Sequence, residues 1–388
     1  MKKKLFLIMC FFLILSNKLL AQDNSEITNN IFKIGIMAPF SGPYEEIGKA
    51  VLNASKIALK DLNKKNIKFY PKDNKADQNE SYKIAKEFEN NNINLVIGPI
   101  FFENTEKLNE INNVTFLSLS NKLNKNHKNV ITLGVNIESQ FNSIINYLKK
   151  NNLSKTLLLI PKTKYSDDIA KFYQNNNYDF YKIIFYETDP KKITSQIETL
   201  SKYKTRKADL ERRIKLLENS ELQKDKNELK KLMLKDTLGK VDFDSVIIAD
   251  FDERLKSVMA SFEYADVDKK EVKFFTLNQW FDESIFSEKS MEGLIFPSVD
   301  LVGYNKFRKK YFEIFEKVSS EISLTAYDAV GLANYIYLNN NSDFSADKFN
   351  TKSGFKGFQG EFNIINNRAS HKLYMYEISK NKFNKLDQ

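Results

Sequence analysis

The sequence predicts an α/β protein built as two doubly wound lobes, and three observations carry that reading. From Phe32 onward short apolar runs alternate with amphipathic stretches, the runs are too many for one sheet, and residues 202–235 interrupt the rhythm with strandless, charged sequence. Repetition of strand, crossover helix and strand predicts parallel sheets covered by helices on both faces. A chain of 388 residues suits two such lobes.

Taken in order, Met1 to Lys4 is a basic tip, Leu5 to Leu15 an apolar run, and Leu19-Leu20-Ala21 offers a small residue for cleavage, the pattern of a secretory signal over 1–21. That run is shorter than the roughly 20 apolar residues a bilayer span needs, so the expected product is exported and not membrane-spanning. Cys10 is the one cysteine; Met9 stands where a lipoprotein signal wants a small residue, so lipid anchoring is disfavoured and the thiol leaves with the leader. Phe32 to Ala38 then reads as a strand. Lys49 to Leu62 reads as a helix, because Val51, Leu52, Ala54, Ala58, Leu59 and Leu62 fall on one face. Strand patterns recur at Ile67 to Tyr70, "INLVIGP", "VTFLSLS", "VITLGV", "KTLLLIP", "YKIIFYE", "DSVIIAD" and "VKFFTL". Residues 202–235 hold 12 basic against 6 acidic residues and no Pro or Gly. Leu210, Ile214 and Leu217 make one apolar stripe, Leu222, Leu229 and Leu232 a second, and Asn219-Ser220 the turn of a helical hairpin between them.

Composition excludes several chemistries. Without a cysteine after the leader there is neither a disulfide framework nor a thiol nucleophile. Four of the 60 basic residues lie in the leader, which leaves 56 against 50 acidic ones. In an exported chain that balance points to anionic envelope polymers or lipid head groups and away from nucleic acid. A metal site is not expected, since histidines are few and no Asp-rich calcium loop occurs. No cofactor motif is present either.

The candidate site lies at strand ends, where doubly wound sheets bind ligands. In "GIMAPFSGPYEEIGKAV" Ser41 follows a strand and precedes a helix. It lacks the glycine two residues before it that a nucleophile elbow requires, and only His127 and His371 could serve as base. Ser41 and Tyr44 therefore read as part of a polar binding cleft. Phe101 and Phe102 after Gly98-Pro99, then Ser118, Ser120 and Asn121, line the same lobe; Tyr165 and Asp250 close the other side.

Those residues carry a resemblance. "KIGIMAPFSGPYEEIGKAVLNASKIALKDL", "NLVIGPIF", "FLSLSN", "AYDAVGLANYIYL" and "GFKGFQGEFNIINNRASHKLYMYEI" together resemble the type I periplasmic binding proteins of the leucine-binding group. "SKYKTRKADLERRIKLLE", "KDTLGKVDFDSVIIAD" and "TLNQWFDE" make the chain most similar to the penicillin-binding protein activators of Gram-negative bacteria. The resemblance implies two Rossmann-like lobes joined by three crossovers. Lobe 1 would comprise 30–136 and 278–370, and lobe 2 would comprise 137–277 and 371–388 with the insertion at 202–235. It implies a non-enzymatic periplasmic regulator whose partner is a peptidoglycan synthase, or, alternatively, the substrate-binding subunit of an ABC transporter that meets a permease and holds an amino acid, amide or small polar ligand. In amino-acid-binding members a serine or threonine fixes the ligand carboxylate where this chain has Phe101, Phe102 and Glu103, so leucine capture is not expected. Arg206, Lys207, Arg212 and Arg213 are the expected partner-binding charges of the hairpin.

Overall fold

A computed structural model describes residues 31–122, 127–163, 166–176, 178–277, 283–350 and 354–387. The leader and Tyr165 lie outside the described residues. The expected two sheets are both present. In the first, β1 (Phe32–Ala38), β2 (Ile67–Asp73), β3 (Leu95–Ile97), β4 (Thr115–Ser118) and β5 (Val130–Thr132) run parallel. Helices α1 (Glu45–Leu62) and α2 (Gln78–Asn90) make the first crossovers. Three strands from the far end of the chain complete the sheet: β11 (Phe355–Gly357), β12 (Gly360–Ile365) and β13 (Arg368–His371), with β13 alongside β5. Alternation along β1 sorts its side chains, with Ile34, Ile36 and Ala38 in one core layer and Met37 in the layer on the opposite face.

The second sheet is built from β6 (Thr156–Pro161), β7 (Lys182–Tyr186), β8 (Ser245–Ile248), β9 (Lys273–Thr276) and β10 (Leu294–Ser298), closed by antiparallel β14 (Tyr374–Ser379) and β15 (Lys382–Lys385). Leu157 and Leu159 face one layer, and Leu158 and Ile160 the other. Helix α3 (Ile137–Lys150) covers one face with Phe141, Ile144 and Leu148. Helices α4 (Ser166–Asn176) and α5 (Pro190–Leu200) follow β6 and β7.

One boundary differs from the sequence expectation. The chain leaves the second sheet after Ser298, not between Thr276 and Gln279, so 283–298 stays with the second lobe. The strand was hidden because "LIFPS" contains Pro297, which reads against a central strand, and because short 3-10 turns at Glu283–Ser287 and Lys289–Met291 stand where a helix would mark the crossover.

The inserted hairpin is α6 (Tyr203–Glu218) and α7 (Gln223–Leu232). Leu210, Leu217 and Leu232 form a small core of their own with Ile214, Leu229 and Leu238 beside it. Leu222 departs from the expected stripe: as the N-cap of α7 it is 67% exposed. Helix α8 (Asp252–Tyr264) follows β8. Helices α9 (Leu301–Phe315) and α10 (Glu321–Asn339) return to the first lobe, where Phe307, Tyr311, Leu324 and Ala333 join its core.

Two of the connections between lobes lie side by side and are tied by a buried network. Asn136 caps α3 through Ser139 N–H at 2.8 Å while its own amide donates to Ala369 O at 2.5 Å. Ser139 Oγ accepts from His371 N–H at 3.0 Å, and the His371 ring donates Nε2–H to Leu133 O at 2.9 Å. A cavity of about 350 Å³ opens beside them, lined by Asn142, Asn146, Tyr147, Lys150, His371 and Lys372 among others.

Candidate functional site

The site in the first lobe is assembled at the carboxyl ends of β1, β3 and β4, which are neighbours in the sheet. Gly48 lets α1 lie against the turn after β1, since a Cβ there would sit 1.8 Å from Pro39 O. Ser41 occupies that turn, and its hydroxyl donates to Asp73 Oδ2 at 2.6 Å. Phe40 N–H at 2.7 Å and Lys75 N–H at 2.9 Å donate to the other oxygen of the same carboxylate. Burial of Asp73 opposes its ionisation, yet the Ser41 hydroxyl and these two backbone donors outweigh it and hold the carboxyl below its ordinary range. Ser41 is thus a turn lock with its proton already committed.

A Ser41→Ala substitution is expected to cost about 1.5 kcal/mol, the low end for one hydrogen bond to a charged acceptor. Because the folded pKa of Asp73 lies below the ~3.9 of an unfolded aspartate, its stabilisation is complete above about pH 5 and fades as pH falls through the folded value. Urea unfolding across that acid range should therefore show a smaller loss for the alanine variant than for wild type. Equal losses would mean that the serine does not hold the carboxylate.

The other first-lobe residues fall into two groups. Tyr44, 44% exposed, meets the ring of Phe101 at 4.7 Å between centroids, so an aromatic pair stands over the strand ends; Phe102 opens the next 3-10 turn and is half-buried. Ser118 is fully buried, donates to Pro99 O at 3.1 Å and accepts from Ser120 N–H at 3.3 Å. Ser120 Oγ accepts from Lys122 N–H, while Asn121 is exposed. Neither histidine is arranged as a base for Ser41: His127 meets Glu106 O at 3.2 Å and His371 meets Leu133 O.

In the second lobe Asp250 ends β8 and is fully buried. Arg254, one helical turn on in α8, donates to both of its oxygens at 2.8 to 3.1 Å, and Tyr186 from β7 donates its hydroxyl at 2.5 Å. Burial first, then the Asp250 charge, push the Tyr186 phenol well above its ordinary range, so it stays a donor. The hydrogen bonds that Arg254 donates to Asp250 hold its own pKa above the ordinary arginine value. Sequence reasoning found Asp250 but missed Arg254 and Tyr186. "DFDERL" held the signal for the first, since residues four apart share a helix face; nothing local marks Tyr186 or Asp73.

A family model described as periplasmic binding protein matches residues 32–382. The chain belongs to the periplasmic binding protein family. Solved structures share its fold: a protein of Rhodospirillum rubrum described as a branched-chain amino acid ABC transporter (11% identity, TM-score 0.68, 92% of this chain and 99% of that one). The isoleucine complex of the branched-chain amino acid transporter substrate-binding protein LivJ from Streptococcus pneumoniae is another (18%, 0.55, 92% and 99%). A third is the C-domain of LpoA from Haemophilus influenzae, a regulator of PBP1A (12%, 0.61, 92% and 100%). No curated protein gives a significant match. As a periplasmic binding protein the chain has a two-lobed layout with one sheet to each lobe, and no described helix is long and apolar enough to cross a membrane.

The hairpin charges are not equivalent. Arg206 is 6% exposed and donates to Ser201 O, Thr237 Oγ1, Ala265 O and Asp266 O at 2.5 to 3.0 Å, which corrects its expected place on a partner-facing surface. Arg213 reaches across the hairpin to Glu228 at 2.8 Å, and Arg212 pairs with Asp209 at 3.1 Å. Lys207 is exposed with its ammonium 5.9 Å from the Tyr203 ring centroid.

Proposed function

We propose that this periplasmic binding protein is an exported, non-enzymatic regulator of cell-wall synthesis that acts by contact with a peptidoglycan synthase. The observation that supports this reading is the commitment of the strand-end hydroxyls: Ser41 is spent on Asp73 and Ser118 on Pro99 O, beneath the Tyr44–Phe101 pair. An amino-acid carboxylate placed there would lose its water shell without gaining those donors, and a buried anion without partners is costly. The LpoA C-domain, a regulator of PBP1A, offers a precedent for a regulator with this fold. Periplasmic residence follows from the leader. Lys207 and Arg212, on the outer side of α6, remain the candidates for partner contact.

The second reading, a substrate-binding subunit of an ABC transporter, has the exposed Asn121 and the half-exposed Arg254 in its favour as polar groups at strand ends. Calorimetry separates the two. Leucine, isoleucine and valine are expected to bind more weakly than about 1 mM, some 4 kcal/mol of binding free energy. Detergent-solubilised peptidoglycan synthase from the same envelope should be retained by the immobilised protein. Sub-micromolar binding of any of these amino acids would replace the regulator with the transporter subunit.

A further inference from the structure

The outward half of α7 carries charge without counter-charge. Lys224, Lys226, Lys230 and Lys231 are exposed, with Lys235 just beyond the helix, and among the described residues none of the five is in an ion pair. The two acids of α7 are already taken on its inner side: Glu228 by Arg213, and Asp225 by the Ser220 hydroxyl at 2.5 Å. At ~100° per residue, Leu222, Lys226, Lys230 and Met233 fall in one strip from N-cap to C-cap, with Leu234 beside its end. Those three apolar side chains are 67%, 64% and 88% exposed.

We propose that this face of the hairpin docks the protein on an anionic membrane surface, with the lysines at phospholipid head groups and Leu222, Met233 and Leu234 in the interface. Charge complementarity selects an anionic occupant, and two features favour lipid over an acidic protein. Every free cation on α7 is lysine, a hydrated point charge on a flexible stem that is depleted from protein interfaces, whereas two of the arginines that such interfaces favour are tied down at 206 and 213. Exposed apolar side chains interleaved with snorkelling lysines are also what interfacial helices present to the head-group boundary. The inference stands apart from the proposed function, because a lipid vesicle contains no synthase.

The test is co-sedimentation of the purified protein with vesicles containing phosphatidylglycerol and with vesicles of phosphatidylcholine alone. Binding is expected to the anionic vesicles only, and to fall steeply with salt. Each lysine lost should weaken it about fivefold. The combined K224Q, K226Q, K230Q and K231Q variant should therefore drop below detection at an unchanged melting temperature, since all four side chains are exposed. A variant with Met233→Ser and Leu234→Ser should bind several-fold more weakly yet keep its salt dependence. Absence of binding to phosphatidylglycerol, equal binding to both lipids, or wild-type binding by the four-lysine variant would each overturn the proposal. So would loss of solubilised-synthase capture by that variant when wild type never sediments with lipid, which would assign the face to an acidic protein.

Discussion

Replacing Arg206 with methionine is expected to destabilise the second lobe by about 3–5 kcal/mol, because several buried acceptors lose their donor at once. Methionine fills similar space but donates nothing. Ser201 O, Ala265 O, Asp266 O and the Thr237 hydroxyl would stay buried with one donor fewer each, and an acceptor left dry costs about 1–3 kcal/mol. Burial already disfavours the guanidinium charge, pulling its pKa below the usual arginine value. The arginine is kept because its planar fork meets several acceptors at once. Lysine at the same position retains the charge with a single nitrogen and should recover less than half the loss. The readout is the urea midpoint, together with the rate of proteolysis within 203–244, where the hairpin would come loose. An Arg206→Met protein with the wild-type midpoint would show that the hairpin is held by its small apolar core alone.

Acidification is expected to weaken the joint between the lobes through His371. The ring is fully buried against Phe362, and burial lowers its pKa from the ordinary 6.5 to about 4, with the Leu133 carbonyl opposing the shift. The folded state therefore binds its proton less readily than the unfolded chain does. Stability from this residue is complete above about pH 6.5 and is lost as pH falls toward 4. A full proton of difference is worth ~1.4 kcal/mol per pH unit, or roughly 3 kcal/mol over that interval. A His371→Gln variant should be about 1 kcal/mol less stable near neutrality, from one hydrogen bond made less well. Its unfolding free energy should then change less between about pH 7 and about pH 4.5 than that of wild type, and parallel profiles would remove His371 from the acid response.

The parts of this protein that could be read from its sequence are those in which neighbours in the chain are neighbours in space. The apolar runs of β1 and β6 and the single apolar face of α1 reveal the two sheets directly, because run length and a period of 3.6 are local properties. Ser41 and Ser118 were recognisable as strand-end hydroxyls for the same reason. Their partners were not: Asp73 is 32 positions from Ser41, and Pro99 reaches Ser118 only through sheet pairing. Arg206 misled in the opposite way. A basic residue on a charged helix reads as solvated, and only the loops from 234–244 and 265–268 folding over it turn it into an internal anchor. The misplaced crossing has a similar origin, since Pro297 is acceptable in β10 for a reason of register that no single strand discloses.

The first sheet is finished by strands that the ribosome makes late. Its β1 to β5 are complete by Thr132, yet β13 joins β5 only after more than two hundred further residues, and α10 must arrive to cover α1. Closing so long a loop before the contact forms makes assembly slow. A nascent chain cut before Glu321 has an open sheet edge at β5 and an incompletely covered apolar core, so the amino-terminal half cannot settle as a finished unit while the remainder is still being made. That late closure ties completion of the first lobe to synthesis of strands that follow the whole middle of the second.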